Sequence, residues 1–521
     1  MSFISFPFVL FFGVLCAAYY LLPSRFQRPL LLVFSIGFYL AADVRYFLFL
    51  LVTVVSAYMT VCRMDGRLKE QERYLAENKA LSREEKKACR AGVKRRNRIT
   101  LMVCLVLNFS MLAFCKVLLL PGVSRAAAGT GLSFLSLGLP LGMSFYLFQS
   151  MGYCIDVYRG KAKAQRSFPK FALFITYFPY LIQGPINSYA KLGENLFRPH
   201  DFDGKQWSFG LQRMLWGYFK KLVIADRIAP MVAALRSPEL GGMGFFLLTL
   251  SYAVQIYGDF TGGIDITIGM SQCLGIRLEE NFLHPYFSKN IAEYWRRWHI
   301  SLGEWMKDYI FYPISVSGPM LKLSKAARAR LGNFGKRLPV YVASIATWLV
   351  TGVWHGLTPN FILWGMLNCF FIVVSEELAP LYDRFHQRFH WKNRPWYGWF
   401  EILRMFLLMN FIRACDLFPH VGDYFAGFGR MVLHPNCAML WDGSLLKLGL
   451  TALDFGILGA GIALLFGVSL YQEKRGSVRE KLWGKSPWVR YSLLMILLLA
   501  VLLLGKYGTG YNASSFIYNQ F

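Results

Sequence analysis

Long apolar runs separated by short polar stretches are the dominant pattern along this chain. The longest runs reach the roughly 20 residues that an α-helix needs to cross a bilayer. Thirteen runs can be traced, at roughly 3–22, 29–42, 46–62, 99–120, 132–157, 171–186, 222–235, 243–272, 339–355, 361–379, 401–418, 445–470 and 489–505. The pattern predicts an all-α, polytopic membrane protein with about a dozen membrane segments.

Several runs are too short or too interrupted to span a bilayer. Pro140, Pro179, Pro185 and the glycine-rich stretch 258–263 fall inside apolar runs and predict breaks in the helices. Broken backbone at membrane depth is tolerated only where it is buried in protein or lines a cavity. We therefore expect short re-entrant and interfacial helices beside the full spans.

The amino-acid composition supports a membrane protein and excludes several other classes of protein. Of 521 residues, 55% are hydrophobic and only 17% are charged, whereas soluble domains carry about 25% charge. The mean hydropathy is +0.37. The net charge of +27 does not indicate a nucleic-acid partner, because such a binder would not carry this much Leu and Phe. A soluble globular enzyme, a disordered chain and a coiled coil are excluded on the same grounds.

Basic segments between the runs predict the orientation. Residues 63–98 hold 13 Lys and Arg against 6 Asp and Glu, and such an excess marks the cytoplasmic side. The segments 322–337, 384–394 and 474–490 are also basic and belong on the same side. If the first three runs all cross, the N-terminus lies outside.

One histidine lies inside an apolar run. Ionisable side chains there are costly and are functional candidates by default. His355 follows an apolar stretch and is flanked by Gly352 and Gly356. Because basic segments precede and follow it, 339–379 is expected to form a hairpin whose turn lies within or beyond the bilayer. A neutral imidazole can take up and return a proton, so His355 is a candidate general base. A histidine hydrogen-bonded across helices is the alternative.

A cluster of aromatic and basic residues follows at 294–309. Read as one helix, it carries an apolar stripe formed by Trp295, Trp298, Leu302, Trp305 and Tyr309. Aromatic side chains with arginines are typical of a helix at the membrane interface. His299 borders the stripe and can point inward. An interfacial anchor is the alternative to a functional role for the tryptophans.

Two further acids lie within an apolar run. Asp259 and Asp265 are six positions apart, about 120° apart on an ideal helix. The glycines between them predict a break that turns both toward an aqueous cavity. Pairing with an arginine is the alternative, and we favour it over direct chemistry. The ten cysteines contain no CxxC pair or Cys/His cluster, so neither a zinc site nor a disulfide framework is expected.

The sequence resembles the membrane-bound O-acyltransferase (MBOAT) family, above all its bacterial alginate O-acetyltransferase-like branch. The matching motifs include Leu-Pro-Leu-Gly-Met-Ser-Phe-Tyr at 139–146, Phe-Gln-Ser at 148–150, Phe-Pro-Tyr-Leu-Ile-Gln-Gly-Pro-Ile at 178–186, Trp-Arg-Arg-Trp-His at 295–299 and Gly-Val-Trp-His-Gly at 352–356. The chain departs from the family pattern at Asn368, where many relatives carry histidine, at Gly263, which replaces an aromatic residue, and at Asn519, which replaces a phenylalanine.

The resemblance implies a helical bundle around a transmembrane tunnel. It implies one integral-membrane domain over 1–521, with the basic cytoplasmic segment 63–98, a catalytic core at 139–379 and C-terminal membrane helices at 401–521. It makes His355 the essential histidine and His299 the second polar position. The candidate substrate-binding residues are Trp295, Arg296, Arg297, Trp298, Asp259, Asp265, Gln149, Trp354 and Asn368.

The implied reaction is transfer of an acyl group, chiefly acetyl, from a cytoplasmic thioester to an extracytoplasmic hydroxyl of a cell-wall polymer or exopolysaccharide. Acetyl-CoA or a carrier-protein thioester is the expected donor substrate, with no bound cofactor and no metal. The expected partners are a secreted SGNH-like acetyltransferase or similar accessory protein, the polysaccharide acceptor and membrane lipids. The expected location is the inner or plasma membrane of a bacterial cell.

Three alternatives remain open. Within the family, the chain could transfer D-alanine from a carrier protein to teichoic acid. A polysaccharide or lipid transporter would use the intramembrane polar residues to line a path, although the chain has no internal repeat of fixed period. A structural scaffold would need neither histidine.

Overall fold

The computed structural model describes residues 3–42, 44–120, 123, 139–507 and 516. The start of the apolar run at 132–157 and Asn519 lie outside these residues. Within the described ranges the regular structure is helical and includes no β-strand, and an antiparallel bridge joins Phe282 to Trp298. The predicted all-α class is therefore confirmed.

The helices fall into two compact units, and the first comprises Met1–Ser208 and Met270–Glu279. Its helices are α1 (Phe6–Leu21), α2 (Gln27–Ala42), α3 (Val44–Glu77), α4 (Arg83–Leu118), α5 (Met143–Tyr158), α6 (Phe168–Thr176), α7 (Phe178–Gln183) and α8 (Tyr189–Phe197). The expected core segment 139–379 has residues in both units.

The second unit comprises Phe209–Gly269 and Glu280–Phe521. Helix α9 (Gly204–Tyr218) starts in the last residues of the first unit and enters the second at Phe209, and it continues as a wider π-helical turn over Phe219–Ala225. The others are α10 (Asp226–Ala234), α11 (Gly241–Cys273), α12 (Ile291–Arg297), α13 (Ile300–Met306), α14 (Tyr312–Ser315), α15 (Gly318–His355), α16 (Pro359–Glu377), α17 (Ala379–Phe389), α18 (Pro395–Arg413), α19 (Val421–Leu433), α20 (Ala452–Arg475), α21 (Val478–Trp483) and α22 (Pro487–Leu504).

Seven helices of the described chain are long and apolar enough to cross a bilayer: α3, α4, α11, α15, α16, α20 and α22. The chain is thus a polytopic membrane protein, but with fewer long spans than the dozen that the sequence pattern predicts. The run at 171–186 is one reason, because it breaks between α6 and α7 beside Pro179. The run at 222–235 is another, because it forms the π-helical turn and the nine-residue α10.

The basic segment 63–98 is mostly helical. It consists of the last part of α3 and the first part of α4, joined by a short turn. Ser82 begins α4 with a capping box, in which its hydroxyl accepts from the Glu85 backbone while the Glu85 carboxylate accepts from the Ser82 backbone. Its predicted placement on the cytoplasmic side stays a prediction.

The break predicted at 258–263 is wrong, because α11 runs without interruption through these glycines. They allow a close contact with the end of α9 and the π-helical turn that follows it. A Cβ atom on Gly262 would lie 2.9 Å from Gly217 O, and one on Gly258 would lie 2.9 Å from Lys220 O. Small residues that let two helical backbones approach in this way are typical of membrane helices.

This contact places lysine side chains within ion-pairing distance of both acids of α11, Asp259 and Asp265. Lys221 Nζ lies 2.6 Å from Asp259 Oδ1, and Lys220 Nζ lies 2.6 Å from Asp265 Oδ2. Arg213 Nε donates to Asp265 Oδ1 at 2.8 Å. Both carboxylates are thus ion-paired, as buried charges generally are, and the pairing uses lysines as well as the expected arginine.

Candidate active site

His355 is the last residue of α15, at the tip of a helical hairpin. The chain turns over Gly356 to Thr358 and re-enters a helix at Pro359. The two helices touch at this tip, because a Cβ atom on Gly352 would lie 2.6 Å from Phe361 O. The hairpin expected over 339–379 is therefore present, and it fixes the backbone on both sides of the histidine.

The His355 imidazole is enclosed by aromatic rings, and the residue is only 8% exposed. Its centroid lies 4.7 Å from the Trp354 ring and 4.8 Å from the Trp364 ring, both edge-on. The indole nitrogen of Trp364 is buried and donates no hydrogen bond within the described chain. A buried donor without an acceptor is costly and requires an explanation.

Trp295 and Asn368 support this arrangement from the side. Trp295 Nε1 donates to Asn368 Oδ1 at 3.1 Å, and Asn368 Nδ2 donates to Trp364 O at 2.8 Å. The Trp295 ring also packs 5.8 Å from the Trp364 ring. The two residues therefore connect α12 to the helix that carries Trp364.

The single helix predicted over 294–309 is wrong, because the chain breaks at His299. This residue has φ +48° and ψ 52°, the left-handed conformation that most side chains avoid. Backbone pairing holds the break in place: Leu283 N donates to Arg297 O at 2.9 Å, and Ile300 N donates to Asn281 O at 3.0 Å. The break turns His299 into the interior, where it is 2% exposed.

Asn281 fixes the ring of His299. Its Oδ1 accepts from both the backbone and the hydroxyl of Ser301, each at 3.0 Å, and its Nδ2 lies 3.3 Å from His299 Nδ1. His299 Nδ1 also lies 3.4 Å from Asn281 Oδ1, so the Asn281 amide can pair with Nδ1 in either tautomer of the ring. Burial, and secondarily the charge of Arg413, lower the pKa of His299 to about 3. The ring is therefore neutral near pH 7.

Trp354 brings the two histidines together. Its ring centroid lies 6.3 Å from that of His299 and 4.7 Å from that of His355. His299 comes from the break between α12 and α13, and His355 from the tip of the hairpin. The structure thus joins, at one indole, two histidines that lie 56 positions apart in the sequence.

Arg413 is a residue of the cluster that sequence reasoning missed. It is 3% exposed, and its guanidinium carbon lies 4.3 Å from the centroid of the Trp298 ring. Arg413 Nη2 also donates to Tyr294 Oη at 3.2 Å. The contacts hold the residue before His299 in place. A sequence signal existed, since Arg413 is a charged residue inside the apolar run at 401–418.

Other candidate residues lie outside the aromatic cluster. Arg296 is exposed, and Arg297 pairs with Glu293 at 2.7 Å and with Glu473 at 2.9 Å. Gln149 belongs to the first unit, where its amide donates to Phe174 O at 2.7 Å and to Tyr180 Oη. Asp259 and Asp265 are held in the ion pairs described above.

The second unit contains cavities of about 640 Å³ and about 370 Å³, and neither is lined by His299 or His355. Both imidazoles are instead covered by aromatic side chains. In the described chain, no group of three His, Cys, Asp or Glu side chains is arranged to hold a metal ion.

Fold and site together define a class: a polytopic membrane protein with one buried histidine at the tip of a helical hairpin and a second at a helix break, both beside one tryptophan. Residues 161–416 match the membrane-bound O-acyltransferase family, MBOAT. The matched residues include both histidines and the aromatic side chains around them.

Three relatives illustrate the range of the family. The probable alginate O-acetylase AlgI of Azotobacter vinelandii is 38% identical over 244 residues, which are 46% of this chain and 45% of the relative. The peptidoglycan O-acetyltransferase of Helicobacter pylori is 30% identical over 54% of each chain. The teichoic acid D-alanyltransferase of Bacillus subtilis is 26% identical over 52% of this chain and 66% of the relative. The chain thus spans about half the length of the first curated relatives it matches.

Proposed function

We propose that the chain is a membrane O-acyltransferase in which His355 is the catalytic base. The observation that carries this proposal is the pair of buried histidines on the two sides of one aromatic cluster, His355 at the hairpin tip and His299 beside Trp354. In the proposed reaction His355 takes the proton of an acceptor hydroxyl, whose oxygen attacks the thioester carbonyl. The bond between the carbonyl carbon and the sulfur then breaks, and the leaving thiolate takes up the proton from His355. General base catalysis contributes about 10²–10⁴-fold, and positioning contributes much of the rest.

His299 has a different proposed role. Its ring is neutral, and in the tautomer that carries the proton on Nε2 it suits donation of a hydrogen bond to the oxygen that becomes negative in the transition state. The buried N–H of Trp364, packed against His355, is a second donor of this kind. Removal of one such donor typically lowers kcat by about 10²–10³-fold.

The proposed donor is an acetyl thioester such as acetyl-CoA, and the proposed acceptor is a polysaccharide hydroxyl outside the cell. The relatives with the higher identities are named as acetylating enzymes of alginate and peptidoglycan, whereas the D-alanyltransferase is the more distant match. The polymer either receives the group directly or receives it through a secreted SGNH-like partner. Transfer outward requires a tunnel through a bacterial plasma membrane, with the basic segments in the cytoplasm.

Acyl transfer in cells tests this proposal. His355→Ala should reduce the O-acetyl content of the surface polymer by at least about 100-fold, since the base is lost. His420→Ala is the control, because His420 is exposed and should leave acetylation unchanged. Both variants should be present in the membrane at the level of the parent protein.

The same strains distinguish the proposed acetyltransferase from a D-alanyltransferase, a transporter and a scaffold. A D-alanyltransferase would show loss of D-alanine esters instead of acetyl esters. A transporter would keep its polymer or lipid export when His355 is replaced, and a scaffold would be unaffected by either histidine substitution. Normal acetylation in the His355→Ala strain would exclude the proposed base.

A further inference from the structure

Helix α17 has an apolar face that the rest of the described chain leaves uncovered. Its apolar side chains Leu381, Tyr382, Phe385 and Phe389 recur at helical spacing on one side of the helix. Leu381 is 60% exposed and Phe389 is 45% exposed, and no residue of this helix, all of which the structure describes, is buried. Exposed apolar surface of this kind marks a site of interaction.

A different side of α17 is attached to the protein. His386 Nε2 lies 3.0 Å from the hydroxyl oxygen of Tyr397, a buried residue of α18, and the two rings lie 5.3 Å apart. His386 follows Phe385 directly, so the two side chains point about 100° apart around the helix. The contact with α18 therefore leaves the apolar face open.

The exposed apolar surface continues beyond the helix through a series of aromatic rings. The Phe385 ring lies 4.8 Å from that of Phe389 and 5.4 Å from that of Trp391, and the Trp391 ring lies 5.6 Å from that of Trp396. Both tryptophans are exposed, and tryptophan is enriched where a membrane meets water. We call this region the aromatic surface; its members are Leu381, Tyr382, Phe385, Phe389, Trp391 and Trp396.

The same segment carries four exposed cations, which are Arg384, Arg388, Lys392 and Arg394. Asp383 is the one acid in the sequence from 379 to 400, and no carboxylate of the described chain forms an ion pair with any of the four. On an ideal helix, Arg384 and Arg388 border the apolar face at the edge opposite His386. Their long side chains can therefore reach phosphate groups while the apolar face is inserted in lipid.

The neighbouring spans place α17 at the edge of the bilayer. Helix α16 is suited to cross a membrane, and it ends at Glu377, two residues before α17 begins. Glu377 pairs with Arg337 of α15 at 2.7 Å, and charged side chains are costly inside the hydrocarbon region. An amphipathic helix at such a boundary lies along the membrane surface, with its apolar face buried about 5–10 Å among the lipids.

We propose that the segment 379–400 docks on anionic phospholipids of the membrane in which the chain lies. The aromatic surface enters the head-group region, and the four cations contact the phosphate groups. The charge pattern predicts the basic segment 384–394 on the cytoplasmic side, where anionic lipids attract basic segments next to membrane helices. The proposal does not depend on acyl transfer. A second copy of the chain is the competing occupant of the aromatic surface.

Hydrogen exchange of the full-length protein in nanodiscs, followed by mass spectrometry, tests the proposal. Each nanodisc holds one copy of the protein, in phosphatidylcholine alone or in a mixture with phosphatidylglycerol of identical acyl chains. The variants are Arg384→Gln combined with Arg388→Gln, which removes two cations, and Phe389→Ser, which removes an exposed ring. Arg83→Gln combined with Arg90→Gln is the matched control, because both arginines are exposed on α4 and lie outside the aromatic surface.

Backbone exchange over 381–389 should be at least about fivefold slower with phosphatidylglycerol present, the factor that corresponds to about 1 kcal/mol for one basic side chain near an anionic surface. The Arg384 and Arg388 variant should lose this difference, whereas the control pair keeps it. Phe389→Ser should speed exchange in both lipids. Added salt should weaken the difference in the parent protein, a test that needs no variant. Equal exchange in the two lipids, equal effects of the two arginine pairs, or slow exchange only in nanodiscs loaded with two copies would each overturn the proposal.

Discussion

At the scale of single residues, the two histidines have different surroundings despite sharing one tryptophan. His355 is packed among the rings of Trp354 and Trp364. His299 is held through Nδ1 by Asn281 and lies near the charge of Arg413. These differences are the basis for assigning proton transfer to the first and hydrogen-bond donation to the second.

Replacement of His299 by Asn should make the stability of the folded protein less dependent on pH in the acidic range. The folded-state pKa of about 3 lies below the ordinary value of about 6.5. The neutral ring therefore contributes stability above about pH 6.5, and this contribution is lost as the pH falls toward 3. The loss approaches about 1.4 kcal/mol per pH unit. Asn tolerates left-handed backbone and takes up no proton.

Thermal unfolding in detergent, followed from about pH 7.5 down to about pH 4.5, measures this difference. The unfolding temperature of the parent protein should fall more steeply with acidification than that of His299→Asn. Parallel curves would show that the ring does not remain neutral in the folded protein.

Trp364→Phe should separate function from stability. The substitution keeps an aromatic ring against His355 but removes a buried N–H that has no acceptor in the described chain, so the folded protein should be at least as stable. If that N–H donates to the transition state, transfer should slow by about 10²–10³-fold. Trp295→Phe is the comparison, because it removes the hydrogen bond from Trp295 Nε1 to Asn368. This substitution should lower the free energy of unfolding by about 1 kcal/mol. Unchanged transfer by Trp364→Phe would remove this donor from the mechanism.

At the scale of elements, the site depends on how closely α15 and α16 approach at the hairpin tip. A methyl group at position 352 would meet Phe361 O at 2.6 Å and Ile362 Cα at 3.3 Å, so Gly352→Ala must push the helices apart. Transfer should fall by at least about tenfold, because small displacements of a catalytic group are costly. Gly467→Ala on α20 is the control, since nothing lies within 4 Å of its Cβ position. Equal activities of the two variants would show that the tip tolerates separation.

The hairpin and its histidine could be predicted from the sequence because their signals are local. Two apolar runs, basic flanking segments and one ionisable residue near the turn are all visible in the order of residues. The break at His299 could not be predicted in this way. It is stabilised by Asn281, 18 positions earlier, and by the bridge between Phe282 and Trp298. The local pattern by itself favours one continuous amphipathic helix.

The same distinction explains the wrong prediction for α11. Glycines in an apolar run signal either a break or a close contact, and the choice depends on a partner that lies about 40 residues earlier in the chain. Gly217 and Lys220 supply that partner. The ion pairs of Asp259 and Asp265 follow from the same contact, so they were visible from the sequence only as one of two alternatives. The buried N–H of Trp364 depends on side-chain packing and has no local signal.

At the scale of the whole molecule, the orientation in the membrane is the next property to test. A protease site inserted after Asn78, in the exposed turn between α3 and α4, should resist external protease in intact spheroplasts and be cleaved after lysis. This is expected because the surrounding basic residues favour the cytoplasm. The same site inserted after Gly443, in an exposed turn that precedes α20, should be cleaved from outside. Cleavage of the first site in intact spheroplasts would reverse the proposed direction of transfer.

The most direct test of the account is acyl transfer across a membrane by the purified protein. The protein is reconstituted in proteoliposomes. A labelled acetyl thioester is supplied on the side of the basic segments. The hydroxyl acceptor and the secreted partner are supplied on the other side. The account predicts labelled ester on the far side with the parent protein and at least about 100-fold less with His355→Ala. Equal labelling by both proteins would contradict the assignment of His355 as the catalytic base.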